Sequence, residues 1–167
     1  MNTEKIQKRL LVIALFSMIT MLYGCASAKI NVLKPLASQP STASLSLLDK
    51  TGKQISEEDF GNLKAALSTS LQESGTTLVS TEKKNVATIV GEIQEYDKGS
   101  RPLRYFIGFG AGTGHMKSAW KIIDQAGAEA ASCNIDGSIS AGVFGGSFYD
   151  VHDEVAKAFI TFFTGTK

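Results

Sequence analysis

The sequence predicts an α+β domain in which two helices pack on one face of an antiparallel sheet of about four to six strands. Three observations predict this two-layer sandwich. Two segments carry apolar residues at spacings of three and four, several short segments alternate or are rich in β-branched residues, and turn-forming residues separate them. Their order along the chain is strand, helix, three or four strands, helix.

The first strand of the folded domain is predicted at 44–48, and the first helix follows it. Ser56 is suited to cap the helix, and the acidic residues 57–59 oppose the positive end of its dipole. Gly75 is expected to end it. The apolar stripe between these ends contains Phe60, Leu63, Leu67 and Leu71.

Two further strands are predicted at 76–80 and 86–96, where β-branched residues are frequent. Alternation along the second one places Ile89, Gly91 and Ile93 on one face. The polar positions that share the opposite face are Glu92, Gln94 and Tyr96.

The next two strands are predicted to form a hairpin around a four-residue turn at 124–127, because Gly127 can adopt a positive φ. This turn pairs Ile123 with Ala128, which fixes the register. The residues that this register places on the buried face include Met116, Ser118, Trp120, Cys133 and Ile135. His115 is paired with Asp136 on the other face.

The last helix is predicted to follow Ser147, since Ser147 and Asp150 have the spacing of a capping box. Gly165 is expected to end it. Its apolar stripe contains Val151, Val155, Ala158, Phe159 and Phe162.

Residues 1–24 are predicted to be a signal peptide rather than part of the domain. Lys5, Lys8 and Arg9 precede an uncharged run of 13 residues at 10–22, which is short for a permanent membrane span. The segment 22–25, Leu-Tyr-Gly-Cys, resembles the bacterial lipobox. An ordinary signal peptide or an uncleaved anchor is the alternative.

The lipobox resemblance implies cleavage between Gly24 and Cys25 and lipidation of Cys25 by acyl chains such as palmitate. Several chains on one residue give stable membrane attachment. Ala26 in the next position implies, by resemblance to Gram-negative lipoproteins, sorting to the outer membrane on its periplasmic side. Residues 25–43 are then the lipidated cysteine and a tether with an edge strand inside it, and 44–167 form a single α+β domain.

Charge and cysteine content argue against a nucleic-acid partner and against an intramolecular disulfide. The full chain has a formal net charge of +1, and the leader contributes three basic residues and one acidic one, so the remainder is close to neutral. This balance does not favour nucleic acid as a partner. If Cys25 is acylated, Cys133 has no cysteine to pair with, and a packed core must stabilise the domain.

The glycine-rich stretch at 106–118 does not match a nucleotide-binding loop. Neither the P-loop spacing nor the dinucleotide fingerprint is present, and a strand follows instead of a helix. Alternate positions share a bare face, which allows close packing within the domain or contact with a partner. The residues of this possible partner contact are Arg101, Arg104, Gly108, Gly110, Gly112 and Gly114; the two arginines otherwise lie in a solvated loop.

No catalytic, cofactor-binding or metal site is predicted. His115 and His152 have no cysteine or carboxylate at metal-ligand spacing, and neither Cys133 nor the serines have a recognisable activating base. We therefore expect a protein that is not an enzyme and that needs no cofactor.

Several of these segments together resemble a family of bacterial lipoproteins that share domain of unknown function 4410. The resemblance rests on Arg104 with the Ile-Gly-Phe-Gly-Ala-Gly run at 107–112, on the hairpin turn with Asp124 and Gly127, and on the glycines at 142–146. It covers about residues 45–163. The family has no established activity, so the resemblance implies no catalytic residue.

The expected function is that of an outer-membrane-anchored periplasmic lipoprotein with a non-catalytic role in protein interaction or envelope assembly. Its expected partners are the membrane, through the N-terminal lipid, and a protein partner or a second copy of itself. The alternative is a binding module for a small envelope ligand, a lipid or a glycan fragment. A hydrolase is a third and weaker hypothesis.

Overall fold

The computed structural model describes residues 26–80, 86–100, 112–139 and 147–165, and it confirms the α+β fold with two helices packed on a sheet. In chain order its elements are β1 (Ala26–Lys34), β2 (Thr42–Asp49), α1 (Glu57–Glu73), β3 (Thr77–Val79), β4 (Ala87–Asp97), β5 (Gly114–Ile123), β6 (Glu129–Ile139) and α2 (Tyr149–Thr164).

The six strands form one sheet in the order β1-β6-β5-β4-β2-β3. The pairs among β1, β6, β5 and β4 are antiparallel, whereas β2 runs parallel to both β3 and β4. The sheet is therefore mixed, where a wholly antiparallel one was predicted. α1 carries the chain from the end of β2 back to the end of the sheet where β2 begins. β3 therefore runs in the same direction as β2.

The segment predicted as a tether is largely part of the sheet. β1 pairs with β6 from Ala26, which lies opposite Ile139, to Lys34, which lies opposite Ser132. Ala26, Ala28 and Ile30 are partly buried and pack against the core. Residues 26–34 are therefore part of the sheet, and the edge strand predicted inside the tether is β1. The predicted leader, 1–24, and Cys25 lie outside the described residues.

The core lies between the inner face of the sheet and the two helices. Trp120 of β5 packs on Phe159 of α2 with ring centroids 4.6 Å apart, and both side chains are fully buried. Gly137 permits the close approach of α2, since a Cβ atom there would lie 2.6 Å from Cγ2 of Val155. The predicted stripes of both helices are buried here, Leu63, Leu67 and Leu71 from α1 and Val151, Val155, Phe159 and Phe162 from α2.

The hairpin register differs from the predicted one by two residues. Asp124 and Ala128 close a three-residue loop in which Gly127 has a φ of +85°. A bulge beside Ile122 adds a further shift, so that Trp120 lies opposite Cys133 instead of Ala131. A shift by two keeps every side chain on its predicted face. The predicted pairing of His115 with Asp136 is wrong, because Ser138 lies opposite His115.

A second bulge changes the face of one residue in β4. The register of β4 with β5 shifts between Ile93 and Glu95. Beyond this point Tyr96 is on the inner face, where its ring meets Phe148 at a centroid distance of 5.0 Å. The predicted position of Tyr96 on the polar face is therefore wrong, since strict alternation holds only where a strand has no bulge.

Both predicted ends of α1 and the predicted C-terminal end of α2 are confirmed, whereas the capping box predicted at the start of α2 is present only in part, because Phe148 is the N-cap residue and makes no side-chain capping hydrogen bond. The hydroxyl of Ser56 accepts a hydrogen bond from the backbone N–H of Asp59 at 3.2 Å, and Gly75 follows α1 with a φ of +89°. At α2 a carboxylate oxygen of Asp150 accepts from the N–H of Ser147 at 3.1 Å. Gly165 ends this helix in the left-handed conformation.

Candidate functional site

The two ends of the sheet are distinguished by the helix and strand ends that lie there. Ala26, Gly114 and Ile139 lie side by side at one end, and Asp97 at the end of β4 lies beside them. Phe148, just before α2, covers Gly114, and α1 begins nearby, where Asp59 contacts Lys98. We call this the helix-start end. The opposite end, which holds the 124–128 loop and the last turn of both helices, is the turn end.

A buried acidic residue lies at the helix-start end. Asp59 is only 2% exposed, and its Oδ2 atom lies 2.5 Å from both Oγ of Ser56 and Nζ of Lys98. Burial acts to raise the pKa of Asp59, but the hydrogen bonds from Lys98 and Ser56 outweigh it, so the pKa is lowered. Asp59 is therefore ionised at neutral pH, and it connects the start of α1 to the residue after β4.

A buried histidine lies beside this carboxylate. His152, in the first turn of α2, is 1% exposed, and its Nε2 atom lies 2.9 Å from the hydroxyl of Tyr96. Burial lowers the pKa of His152 and raises that of Tyr96, and the negative charge of Asp59 raises the Tyr96 value further. Both side chains are thus neutral at pH 7.

Two atoms of this polar cluster have no hydrogen-bond partner among the described residues, Oδ1 of Asp59 and Nδ1 of His152. The described part of the chain contains no group of three or more His, Cys, Asp or Glu side chains that could hold a metal ion. A neutral histidine held by a tyrosine, next to an ionised and capped carboxylate, joins β4 to both helices. The hydroxyl of Ser56, which is exposed, belongs to the same cluster, where it caps α1 and is bonded to Asp59.

Sequence reasoning did not find this cluster. It assigned Asp59 to the helix cap and Tyr96 to the solvent face, and it treated His152 only as a metal ligand to be excluded. The contact depends on the bulge in β4, which turns Tyr96 inward. The only signal in the sequence was an acidic residue three positions after a capping serine.

A second feature lies at the turn end and is apolar. Val32 and Leu33 of β1 are 45% and 60% exposed, the largest values among the exposed hydrophobic side chains of the described residues. Beside them runs a groove of about 310 Å³ between β1, the segment after it and the end of α2. We call the residues of this surface the edge patch: Ile30, Val32, Leu33, Pro35, Leu36 and Phe162.

The edge patch lies on an open edge of the sheet. β1 pairs with β6 on one side, and no other described strand pairs with it. An edge strand presents unpaired backbone N–H and C=O groups, and most proteins protect such edges with charges. Here charged residues lie at Lys29 and Lys34, while the exposed side chains between them at 32 and 33 are apolar.

The outer face of the sheet, away from the helices, is charged. A row of four residues crosses it from β1 to β4, in which Lys29 lies opposite Asp136, Asp136 opposite Lys117, and Lys117 opposite Glu95. Nζ of Lys117 lies 2.9 Å from Glu95, whose other oxygen lies 3.2 Å from Nε2 of His115. Alternating charges of this kind are suited to contact with water.

The structure describes only some of the predicted site residues. Cys25 and Gly24 of the cleavage site lie outside the described residues, as do Arg101, Arg104, Gly108 and Gly110 of the possible partner contact. Gly112 has a φ of +77°. Gly114 is buried, and a Cβ atom there would lie 2.7 Å from the Phe148 ring, so packing within the domain is what the structure shows at this glycine.

The family can be identified from the sequence. The model of the family described as domain of unknown function, DUF4410, matches residues 36–143, which is more than half of the chain. The chain belongs to the DUF4410 family. The match covers β2 to β6 with α1, and it ends before α2. No curated protein matches this member of the family.

Solved structures with the same fold come from a bacterial protein named PelC. The PelC dodecamer from Paraburkholderia phytofirmans superposes with a TM-score of 0.56 at 10% identity, over 84% of this chain and 98% of that one. A point variant of that dodecamer gives a TM-score of 0.54 at 12% identity with the same coverage. At such low identity the likeness shows that the DUF4410 chain shares the fold, and nothing more.

A structure from the DUF4136 family, from Bacteroides thetaiotaomicron, is more distant. Its TM-score is 0.49 at 9% identity, over 84% of this chain and 99% of that one.

Proposed function

We propose that this DUF4410 protein is a lipoprotein of the bacterial envelope that acts without catalysis, by binding a protein partner through the edge patch. The lipid on Cys25 anchors it to the periplasmic side of the outer membrane. The observation that carries the proposal is the exposure of Val32 and Leu33 on an open strand edge.

The edge patch offers two kinds of contact to a protein. Its unpaired backbone groups can extend the sheet by one strand, and its apolar side chains can be buried against the partner. Burial of apolar side chains at about 25 cal/mol per Å² favours such a contact, and neighbouring Lys29 and Lys34 can select its orientation. A partner with an extended segment and acidic flanks fits this surface.

The lipid anchor is supported by the sequence at 5–25, where basic residues, an apolar run and the small residue Gly24 precede Cys25. In the described part of the chain, no helix is both long and apolar enough to cross a membrane. Attachment through acyl chains is the form of membrane association that the leader supports.

The absence of catalysis is supported by the chemistry of the described side chains. Cys133 is fully buried, and burial raises its pKa to about 12, so it stays a thiol at neutral pH. His152 is buried, and its described hydrogen bond is to the hydroxyl of Tyr96 rather than to a serine or a cysteine. These residues lack the paired nucleophile and base of a hydrolase.

A second copy of the chain is the partner that the fold comparison favours. PelC, which shares the fold, forms a dodecamer. If the DUF4410 protein also assembles with itself, the edge patch is the surface on which we expect one copy to receive the next.

The alternative function, a binding module for a small envelope ligand, requires space between the sheet and the helices. The centre of that space is filled, since Trp120 packs on Phe159 and the ring of Phe159 stacks on Phe163 at 5.7 Å. The groove of about 310 Å³ between β1 and the end of α2 is the space that a small ligand could use, and it lies within the edge patch.

Two measurements test the proposal. We expect Cys25→Ala to stop processing and release the protein from the membrane fraction, and unchanged processing and fractionation would refute the lipid anchor. A photocrosslinking residue at Leu33 should capture a protein partner or a second copy in cells. The matched control is the same residue at Lys121, which is exposed on the outer face of the sheet. Equal crosslinking at both positions would refute the edge patch as the binding surface.

A further inference from the structure

The alternating charges of the outer face end in a cation at the free edge of β1. The row runs from Glu95 of β4 through Lys117 and Asp136 to Lys29. Lys29 is exposed, and it takes part in none of the ion pairs found among the described residues. A strand added to β1 would place its next side chain beside this cation, where a carboxylate continues the alternation.

The direction of the backbone hydrogen bonds can be followed across the sheet from β4. The N–H of Lys50 donates to the carbonyl oxygen of Ile93 at 2.8 Å, so the backbone groups of Ile93 point to β2. Successive residues of a strand point these groups to opposite sides, so those of Glu92 point to β5, where Glu92 pairs with Ala119. The backbone groups of Ser118, the next residue back, therefore point to β6.

The same alternation continues to the free edge. Ser118 pairs with Ile135, so the neighbouring Asn134 points its backbone groups to β1, where it pairs with Asn31. The residues on either side of Asn31 then point their N–H and C=O groups away from the sheet, and so does every second residue before the bulge that follows Val32. The residues with outward backbone groups at this edge are Ala28, Ile30 and Val32.

The side chains of two of these residues also line the groove of the edge patch. Ile30 and Val32 border its volume of about 310 Å³ together with Leu36 and Phe162. Residues opposite one another in paired strands have their side chains on the same face. A partner residue opposite Ile30 or Val32 would therefore turn its side chain into the groove, whereas one opposite Lys29 would turn it to the outer face.

From these relationships we infer that the partner adds an antiparallel strand to β1, with apolar residues opposite Val32 and Ile30 and an acidic residue opposite Lys29. The inference rests on the proposed function of the edge patch and gives the chemistry of its occupant. Antiparallel pairing continues the arrangement of β4, β5, β6 and β1 and is the more stable one per residue. Read from its N-terminus, the partner segment is apolar, polar, apolar, acidic.

The charges of the sheet edges favour a different protein over a second copy as the source of this strand. Two β1 strands paired with each other would bring together Lys29 and Lys34 of both copies, and β1 has no acidic residue. The strand at the other edge, β3, has only the residues Thr77–Val79, none of them acidic. The fold comparison favours a second copy, but neither described edge of this chain supplies the carboxylate.

Two labelled peptides of identical composition test the predicted pattern. The first is Thr-Thr-Val-Thr-Phe-Glu-Thr-Thr, and the second exchanges Phe and Glu, which would turn the carboxylate into the groove. Each carries fluorescein, and its anisotropy is measured with full-length lipidated protein in detergent micelles and with empty micelles as the blank. We expect the first peptide to bind several-fold more tightly. Equal binding of both, or binding of neither, would overturn the inference.

Reversal of one charge on the protein tests the contact at Lys29. Lys29→Glu should weaken binding of the first peptide several-fold and should favour a version with Lys in place of Glu. The matched control is Lys64→Glu, an exposed position on α1, which should leave the preference as it is. A preference that Lys29→Glu does not change would rule out the proposed charge pairing.

Methylation of peptide nitrogens tests the added strand. In an antiparallel pair, the Val and Phe residues of the first peptide direct their N–H groups at β1, so N-methylation of these two should abolish binding. N-methylation of the Glu and of the Thr between Val and Phe should be tolerated. The opposite result would indicate a parallel strand, and tolerance of both sets would show that no strand is added; either one contradicts the inference.

Crosslinking in cells separates this inference from the proposed function. Capture of a different protein from Leu33 that is lost in Lys29→Glu would support both. Capture that persists in Lys29→Glu, or capture of a second copy, would overturn the inference while the edge patch remains a binding surface. Absence of any capture at Leu33 would refute the proposed function itself.

Discussion

The hydroxyl oxygen of Tyr96 lies 2.9 Å from Nε2 of His152, and these two residues are 56 positions apart in the chain. The contact joins the end of β4 to the first turn of α2 in a region where His152 is 1% exposed. Burial of a neutral imidazole costs little here, whereas a protonated imidazole would be a buried charge without water around it. Stability should therefore depend on pH.

We expect the free energy of unfolding to fall as the pH falls below about 6.5. Burial lowers the pKa of folded His152 below its usual 6.5, so the unfolded chain binds the proton first. The unfolded state then gains protons that the folded state does not, and stability decreases until the lowered folded pKa is reached. Thermal unfolding between about pH 5 and pH 7.5 measures this effect.

The control for this prediction is a comparison of two variants. His152→Phe removes the titrating group and should flatten the dependence in this range, although it also removes the hydrogen bond. Tyr96→Phe removes the same hydrogen bond but keeps the histidine, so its pH dependence should persist. A slope that is unaffected by His152→Phe would show that a group other than His152 causes the pH dependence.

Gly137 should not tolerate even one additional carbon atom. A Cβ atom there would lie 2.6 Å from Val155 and 2.8 Å from Val151, so Gly137→Ala should separate β6 from α2. We expect a loss of about 1–3 kcal/mol in the free energy of unfolding. Chemical denaturation measures it.

The matched control is Gly61→Ala in α1. Gly61 is exposed inside a helix, and a Cβ atom there meets nothing within 4 Å. Alanine favours the helix over glycine by about 1 kcal/mol, so this variant should be more stable than the parent protein. The same sign of change for both variants would contradict the packing found at Gly137.

Ser118 should stabilise the core through the indole of Trp120. The Nε1–H of Trp120 donates to Oγ of Ser118 at 2.8 Å, and this hydroxyl donates in turn to the carbonyl oxygen of Ile135 at 3.3 Å. Ser118→Ala leaves a buried indole N–H without its acceptor, and it should cost about 1–3 kcal/mol. The fluorescence of Trp120, the only tryptophan, reports both the unfolding and the changed environment.

For comparison, Ser27→Ala on the exposed face of β1 should change the stability by less than about 0.5 kcal/mol. If Ser118→Ala were as harmless as Ser27→Ala, the hydrogen bond to Trp120 would contribute nothing to stability.

Cys133 should be unreactive in the folded protein. It is fully buried and burial raises its pKa to about 12, so both access and the thiolate form are lacking. We expect no reaction with a thiol reagent under native conditions and reaction of one thiol in the denatured, lipidated protein. Rapid labelling without denaturant would show that β6 opens readily.

The sequence determined the local structure of this protein. Apolar spacing, capping residues and turn glycines predicted both helices and both ends of α1, at Ser56 and Gly75, because these signals act between residues a few positions apart. Alternation also predicted which residues of β5 and β6 face the core. The lipobox at Cys25 is local too, and it remains a prediction.

Only the tertiary structure decided the features that depend on distant residues. One bulge pairs Trp120 with Cys133, and the other turns Tyr96 inward. Neither can be predicted from the sequence of one strand, since each depends on the pairing with the neighbouring strand. The same holds for the incorporation of residues 26–34 into the sheet and for the parallel pairing of β2. The polar cluster and the edge patch both arise from these pairings, which is why the sequence alone did not reveal them.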